Sequence, residues 1–264
     1  MTNPNFQNLD LNYYKQIAER VVRERAEERE ARKNKPEAQP EVQEEQEERT
    51  MRMPESAKSR KDYVFVPSLG LYVSENRYLQ DKDWNQTQEI LHKENKRMPT
   101  IPEFVEFLKY LRSREGKAKV KNADKILDEV YTVREPWRSE WLDADFKVKG
   151  KELYVNYHIF DVRGNIVQKS EKLEEHLTKD ATPGIDLESW LDNPTKQGLP
   201  KAECNKGSLY YWYPRSDNNS VARFVADSGG ASLYCGGSPD DHDAGLGVRY
   251  VEPRRGETAS KKIN

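Results

Sequence analysis

Apolar residues are sparse in the first 60 positions of the chain and recur in regular patterns after them. Within residues 10–34, Leu11, Tyr14, Ala18 and Val21 form a thin stripe at helical spacing, followed by charges of opposite sign a turn apart. Residues 1–34 therefore predict an exposed helix, which is either a coiled-coil arm for self-association or a solvated helix. Residues 35–60, rich in Pro, Glu and Gln, predict a disordered linker.

Strand-like and helix-like patterns alternate from residue 61 to residue 253, which predicts one folded domain. Short apolar alternations predict a hairpin of Tyr63–Val66 with Leu71–Ser74. Helices are predicted at 84–94 and 123–131, a hairpin at 153–167, and short helices at 172–177 and 185–191. The aromatic run 207–213 predicts a central strand buried on both faces, and residues 254–264 predict a loose tail.

One helix start is unusually well marked. Thr100 and Glu103 have the spacing of a capping box, and Pro102 lies in the first turn, where its missing N–H costs little. The apolar residues that follow share one helical face, which predicts packing against a sheet: Phe104, Phe107, Leu108 and Leu111. Trp137 and Trp141 lie further on and favour core packing, with an exposed aromatic platform as the alternative.

Residues 220–251 combine three apolar runs with long turn-forming segments. The runs 220–226, 231–235 and 246–251 predict strands, and the residues between them are mostly Gly, Ser, Pro and Asp. Along the middle run, Ala231, Leu233 and Cys235 would face the core, while Ser232 and Tyr234 would face outward. The pattern predicts a rigid frame under a displayed loop surface. The residues assigned to the frame are Phe224, Leu233, Leu246 and Val248, all buried, with Arg223 and Arg249 pairing with carboxylates or carbonyls beneath the loop.

The same region lacks five residue types. Lys, Glu, Gln, Met and Trp do not occur between Tyr213 and Val251, although Lys and Glu are abundant elsewhere. These are the types that a codon ending in a pyrimidine never encodes, as expected of a gene segment randomised at its first two codon positions. The alternative is that strands and turns disfavour Lys and Glu in any case.

Two stretches resemble one family. The words SVARF at 220–224 and LGVR at 246–249 resemble those flanking the mutable run in variable proteins of diversity-generating retroelements, of the archaeal and small-genome bacterial kind. The helix start RMPTIPEF at 97–104 is similar to the R-L-P-T-x-x-E-W start of the formylglycine-generating-enzyme fold, with Met98 and Phe104 as departures. The resemblance implies an α+β domain with a C-type lectin fold of the formylglycine-generating-enzyme subtype.

The resemblance also implies a function. In that family a reverse transcriptase copies a template and mutates its adenines, so that the displayed residues vary and bind macromolecular ligands, here expected to be protein. Tyr234 is predicted to be the main anchor, because tyrosine offers rigid area and a hydroxyl at low entropic cost. The predicted ligand-binding positions are Asp227, Gly229, Gly230, Ser232, Tyr234, Gly236, Gly237, Ser238, Asp240, Asp241, His242, Asp243 and Ala244.

Charge and composition exclude several other partners. The chain has 264 residues and a net charge of -2, so nothing indicates nucleic acid or an anionic membrane as partner. No apolar segment is long enough to span a bilayer, and the first residues lack a signal-peptide pattern. We therefore expect a cytoplasmic or virion-associated protein.

The sequence predicts neither catalysis nor a cofactor. The four histidines share no metal-ligand spacing with each other or with a cysteine, and no nucleophile or phosphate-binding motif is present. Asp240, Asp241 and Asp243 could bind calcium, but they lie where arbitrary residues are expected. Enzymes of the resembled fold use a cysteine pair with copper, and Cys204 and Cys235 do not match that pattern. A fixed-specificity lectin-like adhesin and an oxidoreductase of this type are the alternative functions.

Overall fold

The computed structural model describes residues 62–205 and 207–254 as a mixed α+β domain. The predicted N-terminal helix and linker, and the tail after residue 254, lie outside these residues. The described helices are α1 Trp84–Lys93, α2 Ile101–Arg112, α3 Arg114–Lys119, α4 Ala123–Tyr131 and α5 Leu187–Asp192. The described strands are β1 Tyr63–Val66, β2 Leu71–Ser74, β3 Arg138–Lys149, β4 Glu152–Phe160, β5 Ile166–Lys172, β6 Ala181–Ile185, β7 Leu209–Trp212, β8 Ser220–Ala226, β9 Ala231–Gly237, β10 Leu246–Gly247 and β11 Val251–Pro253.

These strands form a large, mostly antiparallel sheet and a small one. The large sheet has the order β5-β4-β3-β8-β9-β7-β6, with β10 paired in parallel to β3. In the small sheet, β2 pairs with β1 on one side and β11 on the other. The predicted strand 246–251 is thus two short strands, each in a different sheet. β8 and β9 have paired neighbours on both sides, so their backbones are firmly held.

One face of the large sheet packs against the helices. Phe224 of β8 meets Phe104 of α2 at a ring-centroid distance of 5.3 Å and lies parallel to Trp190 of α5 at 6.1 Å. The predicted apolar face of α2 is confirmed, since its four residues are at most 1% exposed. Large aromatic contacts of this kind supply much of a core's burial free energy.

Part of the opposite face is also covered. Trp141 of β3, fully buried, packs there with Trp84 of α1 and with Leu246 and Val248. The indole N–H of Trp84 donates to the Leu142 carbonyl at 3.0 Å, which satisfies its polar atom. The core interpretation of Trp141 is therefore confirmed, whereas Trp137 is half-buried.

The predicted capping box forms at α2. Glu103 accepts from the Thr100 N–H at 2.9 Å, and the Thr100 hydroxyl accepts from the Glu103 N–H at 3.4 Å. Arg97 adds a two-point ion pair to the same carboxylate, at 2.6 and 2.5 Å. Such a pair fixes the entry of the chain into the helix as well as its first turn.

Two sequence-based assignments differ from the structure. The predicted helix at 172–177 is wrong, because Leu173 N–H donates to the Leu153 carbonyl and Leu177 N–H to the Pro200 carbonyl instead of to a helical turn. Strand β3, the longest of the described strands, had no predicted counterpart. Its buried Glu140 and Asp143 break the apolar pattern of a central strand. Partners distant in sequence accommodate them: Arg249 pairs with Glu140, and Gln88 and the His158 backbone N–H donate to Asp143.

Candidate functional site

The frame of the candidate site is the antiparallel pair β8–β9. Phe224 pairs with Leu233, and Arg223 with Tyr234. Alternation along β9 sends Ala231, Leu233 and Cys235 into the core, where each is at most 5% exposed, as predicted. The other face of β9 carries Ser232 and Tyr234.

An aromatic patch occupies this second face. Trp212 of β7 is 37% exposed, and its ring centroid lies 5.9 Å from that of the half-buried Tyr234. The guanidinium of Arg223 stands over the Tyr234 ring at 5.0 Å and over the Trp137 ring at 5.9 Å. We call Trp137, Trp212, Arg223 and Tyr234 the aromatic patch. Stacking of this kind holds the rings in place and leaves their edges available for contact.

The loop of residues 238–245 borders the patch and is held through its backbone. The Pro239 carbonyl accepts from the Trp84 N–H at 3.0 Å, and the Asp243 carbonyl accepts from the Asp81 N–H at 3.1 Å. The Gly245 carbonyl accepts from the Ser139 N–H at 2.9 Å. These bonds do not depend on loop side chains, so most residue types can occupy the positions between them.

Some loop side chains nevertheless fix turns or pairs. Asp227 accepts from the Gly229 N–H at 2.8 Å, and Asp243 accepts from the Gly245 N–H at 2.8 Å. Asp241 forms an ion pair with Arg223 at 3.0 Å. Such Asx turns stabilise the local backbone, so these carboxylates support the loop in addition to facing solvent.

The thirteen predicted positions fall into three groups. Four are exposed, six are half-buried and three are buried. The exposed ones are Gly229, Asp240, His242 and Ala244; the half-buried ones are Asp227, Gly230, Tyr234, Ser238, Asp241 and Asp243; the buried ones are Ser232, Gly236 and Gly237.

The expectation that the last three lie at the surface is wrong. Ser232 is 6% exposed because β9 is an inner strand, where Ser232 pairs with Val225 on one side and Tyr210 on the other. Strand β9 also extends through both glycines, and a Cβ at Gly237 would lie 3.0 Å from the Val221 carbonyl oxygen. A side chain at Gly237 would crowd this oxygen, so the close backbone approach favours glycine here.

Trp212 is a surface residue that the sequence prediction missed. Strand β7 does lie inside the sheet, between β9 and β6, but only Leu209 and Tyr211 are buried on it. The period of two in the segment, with Tyr210 and Trp212 on one face, is the signal that could have separated the two faces.

Of the two predicted frame arginines, Arg249 pairs beneath the loop, whereas Arg223 pairs with Asp241 of the loop itself. Arg249, fully buried, contacts Glu140 at 3.1 Å and Glu129 at 3.3 Å, and donates to the Glu75 carbonyl. Arg77 donates to the carbonyls of Ser139 and Gly245, both at 2.7 Å. The base of the loop is thus tied to β3 by charge-assisted hydrogen bonds.

Both cysteines, Cys204 and Cys235, are free thiols. Burial in the apolar core raises the pKa of the Cys235 thiol, which disfavours the nucleophilic thiolate. Among the described residues, no group of three or more His, Cys, Asp or Glu side chains is placed to hold a metal ion. Asp240, Asp241 and Asp243 accordingly do not form such a group, and the absence of a metal in this protein stays a prediction.

Comparison of the chain with family models, with curated proteins and with solved structures yields no match. Across the described residues, no helix has the length and apolar character needed to cross a membrane.

Proposed function

We propose that this chain is a binding protein whose displayed residues are diversified by a retroelement, and that its fold is a C-type lectin fold of the formylglycine-generating-enzyme subtype. The ligand is a macromolecule, in the first place a protein. The observation that carries the proposal is that backbone hydrogen bonds hold the loop, while several of its side chains are exposed to solvent.

That separation is the physical requirement for variability. Asp240, His242 and Ala244 are exposed and lie among Pro239, Asp243 and Gly245, whose carbonyls accept from Trp84, Asp81 and Ser139. A side chain that makes no structural contact can be replaced at a cost that usually stays within about 0.5 kcal/mol. The loop can therefore change its surface chemistry without changing its path.

The aromatic patch would supply rigid contact area for the ligand. Tyr234 and Trp212 offer large rigid surfaces with few rotatable bonds, so ordering them on binding costs little entropy. Polar loop residues around them would supply adaptable hydrogen bonds. This division of labour between aromatic anchors and small polar residues is typical of protein-binding surfaces that must accept many partners.

The segments SVARF and LGVR, on which the family resemblance rests, both lie in the frame, which supports the proposed fold. Strand β8 carries SVARF in the centre of the large sheet, and LGVR begins with β10 and ends at the buried Arg249. The helix that begins after Thr100 packs beneath β8 through Phe104.

The test is a library randomised at Asp240, His242, Ala244 and Tyr234, displayed and selected against several unrelated proteins. We expect most members to fold and some to bind, with binding lost when the selected residues revert. A matched library at Phe224, Leu233, Leu246 and Val248 should yield few folded members. If the two libraries fold equally often, the distinction between frame and display is wrong.

The retroelement part has a separate test in the DNA that surrounds the gene. We expect a reverse transcriptase gene and a near-repeat of the 3′ coding segment, differing from it only where the repeat has adenine. A single copy of this segment, with no reverse transcriptase nearby, would instead favour a fixed-specificity lectin-like adhesin.

A further inference from the structure

The aromatic patch continues directly into the displayed loop. Trp212 meets Tyr234 at a ring-centroid distance of 5.9 Å, and the Arg223 guanidinium lies 5.0 Å from the Tyr234 ring centroid. Asp241 of the loop pairs with the same guanidinium at 3.0 Å. Rings and loop therefore form one surface, although they come from separate segments of the chain.

The loop side of this surface is acidic. The Asp81 N–H donates to the Asp243 carbonyl at 3.1 Å, so the segment 81–83 lies beside the loop. Residues 224–248 contain no Lys or Arg. With Lys82 and Arg223 counted against them, the carboxylates of the loop and of this segment leave three net negative charges. These carboxylates are Asp81, Asp83, Asp240, Asp241 and Asp243.

Two of these carboxylates face solvent without an internal partner. Asp81 and Asp240 are exposed, and within the described part of the chain neither side chain forms an ion pair or a hydrogen bond. The other three are bonded to Arg223 or to backbone N–H groups. A cationic group of a ligand can therefore reach Asp81 and Asp240 without breaking any contact that holds the loop.

Trp212 presents the exposed ring of the surface. It is 37% exposed, whereas most large apolar side chains of the described residues are buried or half-buried. Rings on this face already accommodate a guanidinium, since that of Arg223 lies 5.0 Å from the ring centroid of Tyr234 and 5.7 Å from that of Trp141. Tryptophan attracts cations more strongly than the other aromatic side chains do. The exposed part of Trp212 therefore offers a contact of the same kind to a ligand.

We infer that the displayed surface of this sequence binds a basic segment of a partner protein, with an arginine against Trp212 and further cationic side chains facing Asp81 and Asp240. Arginine is favoured over lysine because its planar guanidinium stacks on an aromatic ring and is more weakly hydrated. The negative charge of the surface also speeds the approach of a basic partner. This inference rests on the proposed binding function and names the class of ligand.

The experiment is a fluorescence-anisotropy titration of short labelled peptides with the full chain, at about 50 mM salt, where charges are weakly screened. In the first peptide Arg alternates with Ser. The comparison peptides have Lys in place of every Arg, or Ser throughout. We expect the Arg peptide to bind more tightly than the Lys peptide, the Ser peptide not to bind, and the affinity to fall as salt is raised.

Two sets of substitutions locate the contact. Trp212→Leu keeps an apolar side chain and should weaken binding of the Arg peptide about two- to fivefold, the range of an exposed cation–π contact, with a smaller effect on the Lys peptide. Asp81→Asn combined with Asp240→Asn should weaken both peptides by about two- to fivefold. Asn readily adopts the left-handed backbone that Asp81 has, with φ of 60°.

The matched control is Glu44→Gln combined with Glu45→Gln, which removes the same charge outside the described residues and should leave binding unchanged. Should one surface variant fail to fold, the other decides alone. The inference is overturned if the Arg peptide binds no better than the Lys or Ser peptide, if the folded surface variants bind like the parent, or if the control weakens binding as much. Failed peptide binding beside a successful library selection rejects only the basic ligand, whereas equal folding of the two libraries rejects the proposed function itself.

Discussion

Arg223, in the segment SVARF, and Arg249, in the segment LGVR, connect very different parts of the molecule. Arg249 is fully buried and pairs with Glu140 and Glu129, both of which belong to the frame. Arg223 pairs with Asp241 in the displayed loop, and its guanidinium lies against the aromatic rings of the patch. Arg249 thus joins two parts of the frame, whereas Arg223 joins the frame to the displayed loop.

The difference indicates where sequence change is tolerated. Arg249 and its partner Glu140 are both buried, so losing either one leaves the other's charge with almost no access to water. Asp241, in contrast, is 38% exposed on its side chain, and solvent can replace much of what it contributes. A surface can vary only where its contacts with the frame are partly solvated, as in the pair of Arg223 with Asp241.

The largest effect is expected at Arg249. Arg249→Met leaves Glu140, which is 4% exposed, without its cation, and should lower the free energy of unfolding by about 3–5 kcal/mol. Urea denaturation of the two proteins measures the difference. Adding Glu140→Gln to Arg249→Met should restore part of it, since the unpaired charge is then removed. A loss below about 1 kcal/mol for Arg249→Met would contradict the role assigned to this pair.

The next largest effect is expected on the inner face of β9. Leu233→Ala removes a fully buried side chain from the core and should cost about 2–5 kcal/mol in the same measurement. Ser232→Ala, one residue away on the opposite face, changes little volume and should cost less than about 1 kcal/mol. Equal costs would mean that the two faces of β9 are not distinct.

The frame was largely predictable from the sequence. Strands β1, β2 and β8 have the predicted bounds, and α2 begins at the predicted capping box. These elements carry local signals: a period of two or 3.6, capping residues and turn formers. Where the pattern that specifies a helix or strand lies within about ten neighbouring residues, the local sequence is enough to predict that element.

The features that were missed depend on contacts distant in sequence. Glu140 in β3 is acceptable in a buried strand only because Arg249 comes to lie beside it. Ser232 is buried because β7 pairs beside β9, and Trp212 is exposed because it lies on the open face of that pair. No local pattern specifies which strand becomes the neighbour, so burial at the site could not be derived from alternation alone.

A smaller effect is expected on the pH dependence of stability, which should involve the half-buried His92 but not the exposed His242 of the loop. His92 lies with its ring 4.7 Å from that of His158, and its Nε2 is buried with no hydrogen-bond partner among the described residues. Burial first, and then the neighbouring His158, lower the pKa of His92. The unfolded chain therefore binds a proton more readily than the folded one.

The sign follows from that difference. Above the ordinary histidine pKa of about 6.5 the stabilisation is fully present, and it falls as the pH drops from there to the lowered pKa of His92. Urea midpoints measured between about pH 7.5 and pH 5 should decline less steeply in His92→Gln than in the parent chain. His242→Gln, at an exposed loop position, should decline as the parent does. Parallel curves for His92→Gln and the parent would contradict this assignment.

The smallest effect is expected within the displayed loop, between adjacent aspartates. Asp241→Asn removes the charge that faces the mostly buried Arg223 and should cost about 1 kcal/mol or less, because the carboxylate is partly solvated. Asp240→Asn, one residue earlier and exposed, should change stability by no more than about 0.5 kcal/mol. Higher salt should reduce the difference in stability between the two variants, because screening weakens the ion pair that Asp241 makes with Arg223. If Asp240→Asn proves the more costly, loop side chains hold the backbone after all, and the loop cannot vary freely.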